Sequence, residues 1–151
     1  MCYSASTIAR FFIQETNGSK TPMQLNKMTY IAHGWCPAIY NRPLIVEDIE
    51  AWKYGPVVPV LYYLFKQYGH DYIPVTRVEE ISAITKEDRT LLEKIIEVYG
   101  NCDGIQLSAM THRKGTPWHQ VWHQNGRNSK IPNSIIKDYY VGKAKQSANG
   151  A

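Results

Sequence analysis

Five histidines and three cysteines have the widest chemical repertoire in this chain, and their spacing decides what they can do. His119 and His123 stand four residues apart, which sets two imidazoles on one face of a helix, and His112 offers a third nitrogen ligand. A zinc site built on them lacks a CxxC pair, a glutamate directly after the first histidine, and a fourth ligand at a recognisable spacing. No metal is therefore expected. Two nucleophile and base pairings also fall within a helical turn, Cys36 with His33 and Ser108 with His112. Neither lies in a GxSxG elbow or has an orienting acid at an obvious position, and a buried cysteine is usually a small hydrophobe. Glycine-rich phosphate loops are missing too, so the expectation is a protein that is not an enzyme and needs no cofactor, with a His/Cys metal-dependent enzyme kept as an alternative reading.

Charge offers a second chemistry. The 151 residues carry 17 Lys plus Arg against 13 Asp plus Glu, a net charge of +4. The excess lies in residues 111–151, with 7 basic side chains and 1 acidic. Within 111–130, Arg113, Lys114, Arg127 and Lys130 are interleaved with Trp118 and Trp122, the mixture that single-stranded nucleic acid recognition requires. A charge of +4 is modest and no RRM, KH or helix-turn-helix pattern accompanies it. A nucleic-acid-binding regulator is thus an alternative reading, disfavoured against a solvated basic face whose tryptophans point inward.

Rings are the third resource, with 11 Tyr, 4 Trp and 3 Phe. They are densest around Glu50-Ala51-Trp52-Lys53-Tyr54-Gly55-Pro56-Val57, where Trp52 and Tyr54 alternate along a short strand and Gly55-Pro56 reads as turn punctuation. Such rings fit a hairpin corner over a helix and a recognition surface equally well.

The elements that must position these groups can be read from caps and periodicity. A composition of 44% hydrophobic and 20% charged residues describes one globular domain, long enough to bury ~70% of its unfolded-chain surface. The uncharged runs 28–41 and 54–65 fall short of the ~18 apolar residues of a membrane span and contain proline. No basic segment and long apolar core open the chain as in a secretory signal, and Cys2, Cys36 and Cys102 fit no disulfide pattern. A cytoplasmic protein without membrane association is expected.

Helices are expected over 4–15 and from the Thr21-Pro22 cap to Pro37, which ends or kinks the second of them. Others are expected over 57–68, after the Thr85 and Asp88 capping box, and over 104–111, 117–123 and 133–141. Residues 44–46 and 49–54 read as a small hairpin across Glu47-Asp48, residues 71–83 as irregular, and 142–151 as a frayed tail. The fold class is α+β, mainly α: a single compact multi-helix domain with a small β hairpin.

One string is informative beyond its physics. Leu25-Asn26-Lys27-Met28-Thr29-Tyr30-Ile31-Ala32-His33-Gly34-Trp35, then Arg42-Pro43-Leu44, then Ala51-Trp52-Lys53-Tyr54-Gly55-Pro56-Val57-Val58-Pro59 with Leu61-Tyr62, strongly resembles the Panacea domain. This is the SocA-like or GepA-like family of phage-associated antitoxins. Leu107-Ser108 and Thr111-His112 followed by Pro117-Trp118 resemble its closing motif. The resemblance places the domain over 1–141 with a motif core at 25–122. It implies an antitoxin that neutralises a cognate toxin by direct protein contact, or that delivers it to a AAA+ protease as an adaptor. Expected partner-binding residues are Trp52, Lys53 and Tyr54, with Tyr30, His33, His112 and Trp118 in the same region.

Overall fold

The computed structural model describes residues 2–76 and 79–150. Positions 1 and 151, at the ends of the expected domain and tail, and 77–78 within the expected irregular stretch lie outside the described residues. The architecture is mainly α with a small antiparallel sheet, in agreement with the fold class read from the sequence.

Helix α1 (Ala5–Glu15) starts where the Ser4 side chain accepts the Thr7 amide, and it buries Ile8, Phe11 and Phe12. Helix α2 (Pro22–Tyr40) is the spine. Thr21 and Gln24 form a reciprocal capping box before it, and nearly every residue from Leu25 to Pro37 is buried. It does not end at Pro37 but continues for another turn to Asn41, whose left-handed backbone lets its N–H reach the Pro37 carbonyl. Proline there removes only its own N–H donor, and packing on both sides of the helix outweighs that loss.

Residues 44–46 form no hairpin strand. Tyr3 and Ile45 make a single parallel bridge, and the strands are β1 (Ile49–Trp52), β2 (Gly55–Val57) and β3 (Ser129–Ile131), ordered β2-β1-β3. Trp52 pairs with Gly55, so Lys53-Tyr54 is the turn and Gly55-Pro56 lies inside β2. Pro56 is tolerated because β2 is an edge strand, where a missing N–H breaks no inner ladder. Strand β3 was not legible: it is short, it pairs with β1 across some 80 residues of sequence, and Lys130 and Asn128 look like loop.

Beyond the sheet, Val58 precedes α3 (Pro59–Phe65), which passes into a 3-10 turn over Lys66–Tyr68. The expected irregular stretch contains a second 3-10 turn over Glu79–Ala83, held where Arg89 donates to the Ile81 and Ile84 carbonyls. Helix α4 (Lys86–Tyr99) has Thr85 as N-cap, α5 (Gly104–His112) has an Asp103 and Gln106 capping box, and α6 (Pro117–Asn125) has Thr116. Helix α7 (Asn133–Gly150) runs on through 142–150, where a frayed tail was expected. Once its first turns are nucleated each added residue gains a hydrogen bond, and Lys143 lies over the Tyr139 ring 5.6 Å from its centroid.

Two anchors fix the spine. Gly34 lets α7 approach so closely that a Cβ there would sit 2.2 Å from the Tyr140 ring, and Tyr140 packs edge-on against Tyr30 and Trp35. Arg42, just past α2, donates to the carboxylates of Glu87 at 2.8 Å and Asp88 at 2.7 Å. Asp88 is fully buried, and although burial opposes ionisation, bonds from Arg42, Tyr3 and Thr85 hold its carboxyl below the usual range.

Candidate partner interface

The turn at Lys53-Tyr54 projects between α3 and α5, and its backbone is held from behind. The Trp118 indole donates to the Trp52 carbonyl at 2.6 Å, and the Ser108 hydroxyl donates to the Tyr54 carbonyl at 2.7 Å. The two separated motifs therefore meet on one backbone turn. His112 packs edge-on against Trp118, with ring centroids 5.4 Å apart, and its Nδ1 donates to the Ser108 carbonyl. Trp122 stacks on Trp118, with ring centroids 5.4 Å apart.

From α2, the Asn26 amide makes a two-way clamp, accepting the Val58 N–H at 2.9 Å and donating to the Val58 carbonyl at 3.1 Å. Its neighbour Lys27 donates to the Pro56 carbonyl at 2.6 Å. Gly55 is required where these meet: its φ is +127°, and a Cβ would lie 3.3 Å from the Lys27 amine and 3.4 Å from the His112 Cβ.

With its carbonyls tied down, the turn displays its side chains. Tyr54 is 67% exposed with Lys53 over its ring, and half-buried Trp52 packs edge-on against Tyr62 at 5.0 Å and Tyr63 at 6.3 Å. Tyr63 is 66% exposed. Beside these rings opens a pocket of about 370 Å³, lined by Met23, Asn26 and Lys27 of α2, by Trp52, Tyr54 and Val57, and by Tyr62 and Lys66. Tyr62, Tyr63 and Met23 were not singled out from the sequence as partner contacts. The signal was the adjacent pair of rings: residues one apart on a helix point about 100° away from each other, so Leu61 and Phe65 take the buried face of α3 and leave Tyr62 and Tyr63 outside.

The expected site residues thus divide. Trp52, Lys53 and Tyr54 form the displayed turn, while buried Trp118 and half-buried His112 support it from beneath. Tyr30 and His33 lie elsewhere, each 1% exposed. Tyr30 is part of the α2 and α7 packing, and His33 accepts the Ile45 N–H at Nδ1 and donates to Asn133 at 2.9 Å. Burial lowers the His33 pKa, in keeping with a neutral ring that both accepts and donates.

The remaining chemistry is spoken for. Burial pushes the Cys36 thiol up to about 11, away from nucleophilic thiolate. Ser108 gives its hydroxyl proton to the Tyr54 carbonyl while His112 bonds the Ser108 carbonyl, so the two form no nucleophile and base pair. His119 and His123 have rings 4.4 Å apart, yet among the described residues no three His, Cys, Asp or Glu side chains gather to hold a metal. No described helix is long and apolar enough to cross a membrane.

Comparison with known proteins gives this geometry a context. The chain is 28% identical over 153 residues to antitoxin SocA of Caulobacter vibrioides (strain NA1000 / CB15N), covering 90% of this chain and 81% of that protein. No solved structure matches it. Residues 25–119, which hold α2 from Leu25 onward, the β1 and β2 turn and the Trp118 support, match the family model described as antitoxin SocA-like, Panacea domain, and the chain belongs to that family.

Proposed function

We propose that this protein is an antitoxin that neutralises a cognate toxin by direct protein contact through the Trp52, Tyr54, Tyr62 and Tyr63 surface. The observation that carries this reading is a group of rings held in fixed posture at the surface by a turn whose carbonyls are bonded from behind. Rings with few rotatable bonds provide contact area at low entropic cost, and truncating a central anchor in such an interface costs ~2–4 kcal/mol. Lys53 and Lys66, each over a ring, add positive charge that speeds encounter with an acidic partner.

Delivery of the bound toxin to a AAA+ protease is a second outcome of the same contact, separated from simple blockade by the toxin's half-life in cells with and without this protein. The nucleic-acid alternative is less well supported. Trp118 is buried and Trp122 gives one face to it, while Lys130 is paired with Asp48 at 3.2 Å. Trp118 is thus withheld from base stacking, and Trp122 has one face left to offer.

The test is co-expression with the adjacent open reading frame, scoring growth and co-purification, beside a Tyr54→Ala, Tyr63→Ala variant. Both side chains are exposed, so the variant keeps its fold. Loss of rescue and of the complex is expected, and rescue by the variant at the wild-type level would move the interface elsewhere.

A further inference from the structure

The pocket beside the ring cluster has a cation that the protein itself leaves underused. Lys27 is 4% exposed, yet it lines the pocket, and among the described residues its amine has one hydrogen-bond acceptor, the Pro56 carbonyl at 2.6 Å. An ammonium carries three donors, so two remain unmatched. Among the described residues no carboxylate pairs with it, and the residues lining the pocket include no Asp or Glu. Lys53, Lys66 and His70 line it as well, while Met23, Trp52, Val57 and Tyr62 make the walls apolar.

A buried cation without a counter-charge is costly, so an acceptor that supplies the counter-charge would be favoured there. The room for the amine comes from Gly55, since any Cβ at that position would crowd the Lys27 Nζ at 3.3 Å. Burial lowers the Lys27 pKa to about 7, so an incoming carboxylate would find an amine whose ionisation it can restore.

We propose that the pocket receives a carboxylate-bearing, otherwise apolar segment of the toxin, its acidic side chain accepting from Lys27 and its apolar neighbours packing on Trp52, Tyr62 and Met23. The occupant follows from charge complementarity: an enclosed amine with apolar walls around it, exposed Lys53 and Lys66 at the rim and no acid in the lining suits a carboxylate carried on an apolar stem. This assignment rests on the reading of the ring surface as the toxin-contacting face and names the chemistry that the partner must bring.

The experiment is an NMR titration of the full chain with three small probes: 3-phenylpropionate, its neutral amide 3-phenylpropanamide, and inorganic phosphate. The expected result is that the carboxylate shifts the Trp52 indole and neighbouring amide signals and binds about tenfold more tightly than the amide. In Lys27→Met, which keeps an unbranched apolar stem on α2 and removes the amine, this preference disappears. Equal binding of acid and amide to the wild type overturns the proposal without reference to the variant, as does the absence of shifts at the pocket with every probe. Phosphate shifting the same signals as strongly as the carboxylate would reassign the pocket to a phosphoryl ligand. No toxin is present in this titration, so its failure leaves toxin contact through the rings standing, and a toxin that fails to co-purify leaves the titration's result intact.

Discussion

Lys27 makes a prediction about stability that can be worked through before any partner is known. Its amine, ordinarily near 10.5, is lowered to about 7 by burial in the folded protein. Between about pH 7 and pH 10.5 the unfolded chain holds a proton that the folded chain has lost, so stability rises with pH through that window; below about pH 7 the desolvation cost is present in full. Linkage gives a gain of about 2 kcal/mol between about pH 7 and pH 9, equivalent to roughly 4–8 °C in thermal midpoint for a domain of this size. Other groups do not imitate this rise. His33, whose pKa is lowered by burial, contributes only as pH climbs through about 6.5, where the unfolded ring loses its proton. Cys36, raised to about 11, and Tyr30 and Tyr140, both raised by burial, act in the opposite direction above about pH 9, because the unfolded chain then sheds protons that the folded chain keeps. Urea unfolding at constant ionic strength, at about pH 7, 8 and 9, measures the slope. Wild type should gain stability across the series while Lys27→Met stays level. Parallel slopes in the two proteins would show that Lys27 keeps its proton in the fold, and the argument from its burial would fail.

Two further substitutions test the scaffold. Gly34→Ala puts a methyl 2.2 Å from the Tyr140 ring, which is enclosed by Tyr30, Trp35 and Tyr139 and has nowhere to move. Overpacking of that kind costs about 1–3 kcal/mol, and an unchanged midpoint in scanning calorimetry would mean that α7 is not docked on α2 as described. Trp118→Phe keeps a ring against His112 and Trp122 but removes the donor to the Trp52 carbonyl, at a cost of about 1 kcal/mol. Its distinctive sign is local: faster hydrogen exchange at the Tyr54 and Gly55 amides with the α2 amides unchanged, and wild-type exchange at the turn would remove Trp118 from its positioning role.

Much of the fold was legible because it is written in caps. Thr21-Pro22 and Thr85 each begin a helix in the structure, since a side-chain acceptor in front of an apolar period satisfies orphan amides wherever it occurs. The sheet was less legible. Its strands are three or four residues long, too short for an alternation to register, and β3 owes its existence to a partner far away in sequence. Gly55-Pro56 was misread for a related reason. A Gly-Pro pair usually marks a turn, but here glycine's left-handed freedom is used at the strand's first residue and proline is accommodated on the sheet's edge. In the candidate site the motif residues brought Trp52, Tyr54, His112 and Trp118 to one place, while Tyr30 and His33 travelled with the same string into the core. A helix as enclosed as α2 gives almost no periodic contrast, so nothing in its sequence separates a core ring from a surface one.

The division between those two groups explains how a motif this long can serve one small surface. Asn26, Lys27, Ser108 and Trp118 all bond to backbone carbonyls or amides of residues 52–58, and none of those five bonds depends on which side chains the turn carries. The backbone is therefore specified by α2, α5 and α6, and the rings of Trp52, Tyr54, Tyr62 and Tyr63 are presented on it. Precise presentation matters more to binding than added area does, because a ring already held in its bound posture loses little entropy when a partner closes over it. Changing a displayed ring should alter affinity with little loss of stability, and changing a backbone support should alter both. Finding that separation would assign the first group to recognition and the second to architecture.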